Sequence, residues 1–308
     1  MKLVFFGTGP FGVPSLRKLL SSRHSIPAVV TSPDRPSGRS LEMKPSAIKS
    51  AAQVAGLRIV DYSKENAAAI AAELGKLGAD LFIVVDFGFI LPSDLISRAR
   101  LGGVNLHGSL LPRHRGAAPV QHALLAGDAE TGVSVIRLAP RLDAGDVILA
   151  VKTPILPEDD TPSLEARLSE IGADALLAAV DLLESGKTTP LPQNEALATP
   201  APNIKKESGR IDWKKPAAEL ARAVRAYRGW PGTHAFFRGQ RLLVLGASAV
   251  AGSGRPGEIV KASEVDGFSV ATGEGLLRIA SLQLEGRKPA GFAEFLRGAR
   301  VFPGEFLE

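Results

Sequence analysis

The chain has no cysteine among its 308 residues, which excludes disulfides and thiolate metal ligands outright. Two tryptophans, two tyrosines and an aromatic content of 6% leave little for a surface that grips single strands by base stacking. No apolar run approaches the roughly 20 residues of a membrane helix. No signal peptide or Arg-rich transit segment precedes the strand-like run at 2–6. Histidines and carboxylates show no metal-ligand spacing, so no metal is expected. Neither charge sign is scarce: 37 basic against 32 acidic residues leave +5, which permits a polyanionic partner without demanding one. Together these absences predict a cytoplasmic enzyme or binding protein independent of membranes; a monomer is expected, though no residue pattern dictates it.

Hydrophobic residues make up 45% and charged ones 22%, the balance of a globular protein, and the length suits two cores better than one. Residues 2–6 read as a buried strand, followed by Gly7-x-Gly9-x-x-Gly12 and a helix carrying Leu16, Leu19 and Leu20. Strand-like runs at 26–31, 58–60 and 81–85 alternate with helical stretches at 46–55 and 67–77, while 32–45 is a Pro/Gly/Arg loop. That alternation predicts an α/β fold with a doubly wound, mostly parallel sheet. Thr161 and Pro162 open a further helix as cap and first-turn residue, and Leu164, Leu168, Ile171, Ala175, Ala178 and Leu182 form its apolar stripe. Prolines at 190, 192, 200 and 202 mark a linker. Beyond it, a helix at 217–228 precedes short runs at 234–237, 241–245, 257–261, 267–272 and 275–284, which predict a small antiparallel barrel. The expected division is a domain at 1–188, a linker at 189–205 and a second domain at 206–308.

The chemistry concentrates between residues 104 and 146, in V-N-L-H-G-S-L-L-P-R-H-R-G-A-A-P-V-Q and a later L-D-A-G-D. Asn105 and His107 fall where a strand gives way to a loop, and a period of two turns both to one side. Strand ends of open α/β sheets are where ligands sit. An amide, an imidazole and the carboxylate of Asp143 suit acyl transfer. Asp143 takes part only if the fold closes the 36 residues (143 minus 107) that separate it from His107. Arg113 and Arg115 add positive charge at the same mouth, while His114 and His122 are assigned no role.

Gly7, Gly9 and Gly12 match the dinucleotide fingerprint in spacing, and Asp34 follows at 22 residues (34 minus 12), near where a ribose-binding acid is expected. Against it, Pro10 lacks an N–H that would cradle a pyrophosphate, and Asp34 lies inside a loop. A tight turn for close helix–strand packing explains the glycines as well. Arg35, Arg39, Lys44 and Lys49 make the 32–45 region basic, either as a solvated face or as a clamp for a polyanion.

The run from Asn105 to Gln121, followed by L-D-A-G-D, resembles the folate-dependent formyltransferases. P-D-R-P-S-G-R from Pro33, K-P-S from Lys44, I-L-P from Ile90, G-R-I-D-W from Gly209 and W-P-G from Trp230 narrow the likeness to the methionyl-tRNA formyltransferase family. The resemblance implies a Rossmann-like catalytic domain and a C-terminal OB-like barrel. It implies 10-formyltetrahydrofolate as donor and the amino group of methionyl initiator tRNA as acceptor, in translation initiation. Asn105, His107 and Asp143 would be the catalytic trio. Asp86, Phe87, Gly88, Ile90, Leu91, Ser109, Leu110, Leu111, Pro112, Arg141 and Leu142 would surround the folate, and Arg35, Arg39, Lys44, Lys205 and Lys206 would meet the tRNA. The glycine turn would hold no dinucleotide. The chain departs from the family at Asp86-Phe87-Gly88, usually Ala-Tyr-Gly, and at Ser40-Leu41-Glu42, where paired lysines are common.

In the expected mechanism a neutral amine attacks the formyl carbon, Asn105 donates to the oxyanion, and Asp143 orients a charged His107. That imidazolium should titrate above the free value of about 6.5. Lys214, Lys215, Arg222, Arg225 and Arg228 would join Lys205 and Lys206 in neutralising phosphates. Three readings compete: a sugar-nucleotide formyltransferase with the same donor and trio, a dinucleotide-dependent oxidoreductase, and a non-catalytic RNA-binding protein.

Overall fold

The computed structural model describes residues 1–37 and 42–308, so Arg39 and the Ser40-Leu41 departure lie outside the described residues. The chain divides into two compact units. The first comprises Met1–Pro119, Glu130–Pro154 and Glu165–Pro202. Its elements begin β1 (Lys2–Gly7), α1 (Val13–Leu20), β2 (Ser25–Thr31), β3 (Arg35–Ser37), β4 (Glu42–Lys44), α2 (Ala47–Val54) and β5 (Ile59–Asp61). They continue with α3 (Ala67–Gly75), β6 (Leu81–Val85), α4 (Ser93–Ile96) and β7 (Gly103–His107). After α5 (Pro119–Ala126) come β8 (Glu130–Arg137), β9 (Val147–Pro154) and α6 (Thr161–Glu184).

Seven strands form one sheet in the order β5-β2-β1-β6-β7-β8-β9. The first five are parallel; β8 pairs antiparallel with β7, and β9 antiparallel with β8. β1 and β6 read Leu-Val-Phe-Phe and Leu-Phe-Ile-Val-Val because a parallel strand covered on both faces has apolar residues at every position. Val4, Phe6, Phe82 and Val84 pack on one face with Tyr62, Phe87 and Leu91. Each fully buried side chain of this size contributes roughly 1.5–3 kcal/mol. The predicted mostly parallel sheet is present. β9, a half-exposed edge strand that begins Val-Ile-Leu-Ala-Val, is absent from the expected strands. The region 32–45, expected as plain loop, contains β3 and β4 paired antiparallel; strands of three residues are too short to show a hydrophobic period.

The second unit comprises Val120–Ala129, Ile155–Leu164 and Asn203–Glu308. It holds α7 (Ala217–Ala226), β10 (His234–Phe237), β11 (Gln240–Val250), β12 (Ile259–Ser263), β13 (Gly267–Ala271), β14 (Leu276–Leu284), β15 (Ala290–Gly291) and α8 (Phe292–Ala299). The strands form an antiparallel sheet, β10-β11-β14-β13-β12, with β15 on β14, around Trp213, Phe237, Phe268 and Phe295. Its two edges are joined by the chain's last residues. Ile259 N donates to Glu305 O and Leu307 N to Gly257 O on one side, and Phe236 and Glu308 exchange backbone bonds on the other, all at 2.8–2.9 Å. This seam closes the sheet on itself, as the barrel expectation required.

Two segments expected in the 1–188 domain group with this second unit instead. Arg222 Nε donates to Leu125 O (3.0 Å), Thr161 Oγ1 to Ala226 O (2.7 Å) and Arg225 Nη1 to Asp159 O (3.0 Å). The expected linker is, over much of its length, a strap on the first unit. Leu191 and Val147 exchange backbone bonds at 2.8 and 2.9 Å, and Arg115 does the same with Thr199 and Ala201. Among the described residues no helix is long and apolar enough to cross a membrane.

Candidate active site

β7 presents Asn105 and His107 on one side, as a period of two demands. The loop between β8 and β9 carries Asp143 back to them. Asn105 Nδ2 donates to Asp143 Oδ1 (3.3 Å), and His107 Nδ1 lies 3.5 Å from Asp143 Oδ2. Gly116 N also donates to that Oδ2 (2.9 Å). The amide, imidazole and carboxylate therefore converge. His107 and Asp143 are buried, at 5% and 9% exposure. The second ring nitrogen, His107 Nε2, lies 2.8 Å from His114 O; a carbonyl only accepts, so Nε2 carries a proton.

The loops pay in backbone conformation for this arrangement. Asp143 and His114 sit at φ 51° and 60°, a left-handed region that costs a non-glycine residue on the order of 1 kcal/mol and persists only where the surroundings impose it. Two glycines make the close approach possible. A Cβ on Gly145 would fall 1.8 Å from Arg137 O, and one on Gly116 would fall 2.4 Å from Ala201 O.

Burial pushes the His107 pKa below the ordinary histidine value; Asp143 and the His114 carbonyl pull upward without reversing the shift. The expected imidazolium is thus corrected. Withdrawing a cation from water outweighs one carboxylate at 3.5 Å. With Nε2–H committed to His114, the neutral ring keeps its lone pair on Nδ1, beside Asp143. The shift also sets a stability window. The unfolded imidazole takes up a proton at about 6.5 and the folded one only lower. The unfolded state therefore binds more protons just below that value, and stability, full above it, falls as pH drops. His107→Asn is expected to lose less stability than wild type between pH 7 and 5, as read by urea midpoints. Equal losses would show that the ring charges in place.

The remaining expected residues are dispersed. Asp86 follows β6 at φ 49°. Its side chain keeps access to solvent, while desolvation by the surrounding protein raises its pKa. Gly88 follows at φ 74°. Phe87 and Leu91 turn into the core, Phe87 against Phe6, Tyr62 and Phe89. Ile90 and Leu142 are apolar and exposed, at 73% and 57%. Ser109 is fully buried and spends its hydroxyl on Arg113 O. Leu110, Leu111 and Pro112 are half-buried, and Ser134 Oγ accepts from Leu111 N (3.1 Å). Arg141 is exposed and pairs with Glu195.

Several expected cations prove to be committed. Arg115 is no open charge at the mouth: it makes a two-pronged pair with Glu195 (3.0 and 2.9 Å) and binds Gln193. Arg115 and Arg141 together hold Glu195 down to about 2. Lys49 is held by Asp34 (2.7 Å) and Asp61 (3.0 Å), which also removes Asp34 as a ribose ligand. Arg222 and Arg225 bond main-chain carbonyls, and Arg228 bonds Leu245 O. Arg35, Lys44, Lys205 and Lys206 are exposed. The sequence reading missed His114, Gly116, Gln193 and Thr199, whose Oγ1 accepts from His114 N (2.9 Å). Only the fold brings them to the trio.

The glycine turn binds its own protein. Thr8 N and Gly9 N donate to Asp86 O (2.9 and 3.2 Å), and a Cβ on Gly9 would meet Asp86 Oδ2 at 1.7 Å. Committed amides beside a carboxylate offer nothing to a pyrophosphate, which argues against the oxidoreductase reading. His24, Asp181 and Glu184 cluster elsewhere, but Arg23 and the Met1 ammonium already neutralise those carboxylates.

Residues 1–180 match the formyl transferase family and residues 203–300 the formyl transferase C-terminal domain. A methionyl-tRNA formyltransferase of Pseudomonas paraeruginosa is 45% identical over 300 residues, covering 97% of this chain and 96% of that protein. One from Moorella thermoacetica is 41% identical over 309 residues, covering 100% and 99%. Among solved structures, the N-formyltransferase of Helicobacter canadensis with folinic acid and dTDP-3-aminofucose superposes with a TM-score of 0.66 at 16% identity, covering 91% of this chain and 98% of that one. HypX of Aquifex aeolicus with tetrahydrofolic acid gives 0.63 at 20% identity, covering 100% and 50%. These two share the fold. From the full-length identities, the chain belongs to the methionyl-tRNA formyltransferase family.

Proposed function

We propose that the protein moves the formyl group of 10-formyltetrahydrofolate to the amino group of methionyl initiator tRNA, in the cytoplasm. The convergence of Asn105, His107 and Asp143 carries this reading. The amine nitrogen attacks the formyl carbon and the carbonyl π pair moves to oxygen. One Asn105 N–H is engaged by Asp143, which leaves the other to donate to that oxyanion. The neutral Nδ1 of His107 takes the proton released by the amine, and Asp143 stabilises the imidazolium as it forms. When the bond to the folate nitrogen breaks, that nitrogen recovers the proton. Exposed Ile90 and Leu142, with Asp86 as acceptor, suit a flat ring bearing N–H donors. Phe87 and Leu91 would contribute main chain only.

Charge placement supports a polyanionic acceptor. Arg35 and Lys44 are register partners across β3 and β4, both exposed. Like charges directly opposite each other are unfavourable unless an anion bridges them. Incubation with charged initiator tRNA and 10-formyltetrahydrofolate should yield N-formylmethionyl-tRNA, detected by mass after hydrolysis. Formylation of a nucleotide amino sugar in its place would reject the assignment. Cutting the chain at 205 would strand Val120–Ala129 and Ile155–Leu164, which pack with the second unit. The cleaner probe of the tRNA surface is Lys205→Ala with Lys206→Ala. If both lysines meet phosphates, the salt slope of tRNA binding falls by about 2 and the folate KM stays put. An unchanged slope would take them off the interface.

A further inference from the structure

Gln193, on the strap between α6 and the second unit, has its amide fully engaged. Nε2 donates to Asp143 O (2.8 Å) and Gly145 O (2.7 Å), while Oε1 accepts from Arg115 Nε (3.0 Å) and Nη2 (2.7 Å). A guanidinium only donates and carbonyls only accept, so the amide fits in one orientation. Its oxygen end is anchored, because Arg115 is itself clamped by Glu195 and its side chain is only 10% exposed. Its nitrogen end binds the carbonyl of Asp143, the residue that holds a left-handed backbone at φ 51°, and that of Gly145 two residues on. Asn105 and Gly116 grip the Asp143 carboxylate, and Gln193 grips the main chain that delivers it.

We propose that Gln193 is the positioning residue for Asp143, holding the 141–145 turn so that the carboxylate stays beside His107 Nδ1. The proposal rests on the reading of Asp143 as catalytic. Without the two donors the turn relaxes toward ordinary backbone angles and carries the carboxylate off the imidazole.

Gln193→Glu separates this role from simple support of Arg115. It keeps the size and the oxygen that faces the guanidinium, even strengthening that pair, but turns an oxygen toward two carbonyls. Turnover is expected to fall on the order of 10- to 100-fold, with KM for folate and tRNA nearly unchanged and a thermal midpoint close to wild type. Gln193→Met, similar in size and uncharged, should show the same loss and covers the case in which the first variant misfolds. In an Asp143→Asn background, Gln193→Glu should add less than about a twofold further loss, because the two act through one group. Wild-type turnover in both Gln193 variants, or a fully additive loss in the double variant, would overturn the proposal. Hydrogen exchange of the 141–146 amides reads the clamp without the reaction. It should accelerate in Gln193→Glu, and unchanged protection would equally overturn the proposal. Normal turnover in Asp143→Asn, with exchange accelerated in Gln193→Glu, would instead sink the catalytic reading of Asp143 and leave the clamp standing.

Discussion

His107→Ala should lower turnover by about 10²- to 10⁴-fold, the range of a positioned general base, while folate and tRNA affinities change little. The ring is 5% exposed, its Nε2–H is fixed on His114 O at 2.8 Å, and its other nitrogen faces Asp143 at 3.5 Å. Burial keeps the resting ring neutral, so at pH 7 it begins the cycle ready to accept a proton. The carboxylate beside it favours the charged form only once that proton has come. Such an arrangement acts on the transition state more than on the bound ground state, which is why the loss belongs in turnover. Single-turnover rates of formylation, with folate affinity measured separately, give the decisive comparison. A variant that binds ten times more weakly but reacts at the normal rate would make His107 a binding residue.

Asn105→Ala should cost on the order of 10²- to 10³-fold in turnover, or about 2.7–4 kcal/mol of barrier. Asp143 can only accept, so the amide nitrogen is the group that faces it at 3.3 Å, and the second N–H remains for the oxyanion. Asn105→Asp tests this more sharply. It preserves shape, removes both donors and sets a second carboxylate beside Asp143, which pushes a carboxyl pKa upward. It should be at least as damaging as the alanine variant, and it should add a pH dependence that alanine lacks. If either variant turned over within about threefold of wild type, the oxyanion would have to be held elsewhere.

Runs such as Leu-Phe-Ile-Val-Val at 81–85 made the parallel sheet legible, because burial on both faces leaves a continuous apolar signature. Asn105 and His107 were legible as a pair from their spacing, and Asp143 only on the condition that the fold closes the distance to His107, which the family resemblance then supplied. What was hidden depends on the closed fold. The titration of His107 turns on how much water surrounds it, which no spacing reports. Arg115 and Lys49 read as open cations because their partners, Glu195 and Asp61, lie 80 and 12 residues away. Phe87 and Ile90 sit three residues apart in one apolar stretch, yet one faces the core and the other solvent. Gln193 stands in proline-rich sequence that reads as connector, and its two carbonyl partners lie 50 and 48 residues upstream.

The seam of the second unit constrains how the molecule is made. Phe236 on β10 bonds to Glu308, and Gly257 bonds to Leu307, so during synthesis both margins stay open until those late residues have cleared the ribosome. Val120–Ala129 and Ile155–Leu164 wait as well, since the neighbours they pack against begin at Asn203. Contacts this distant along the chain form slowly and leave apolar surface uncovered meanwhile. The nascent chain therefore carries two unmated strand margins and two orphaned segments until residues 305–308 are available, an interval in which chaperone occupancy should be greatest.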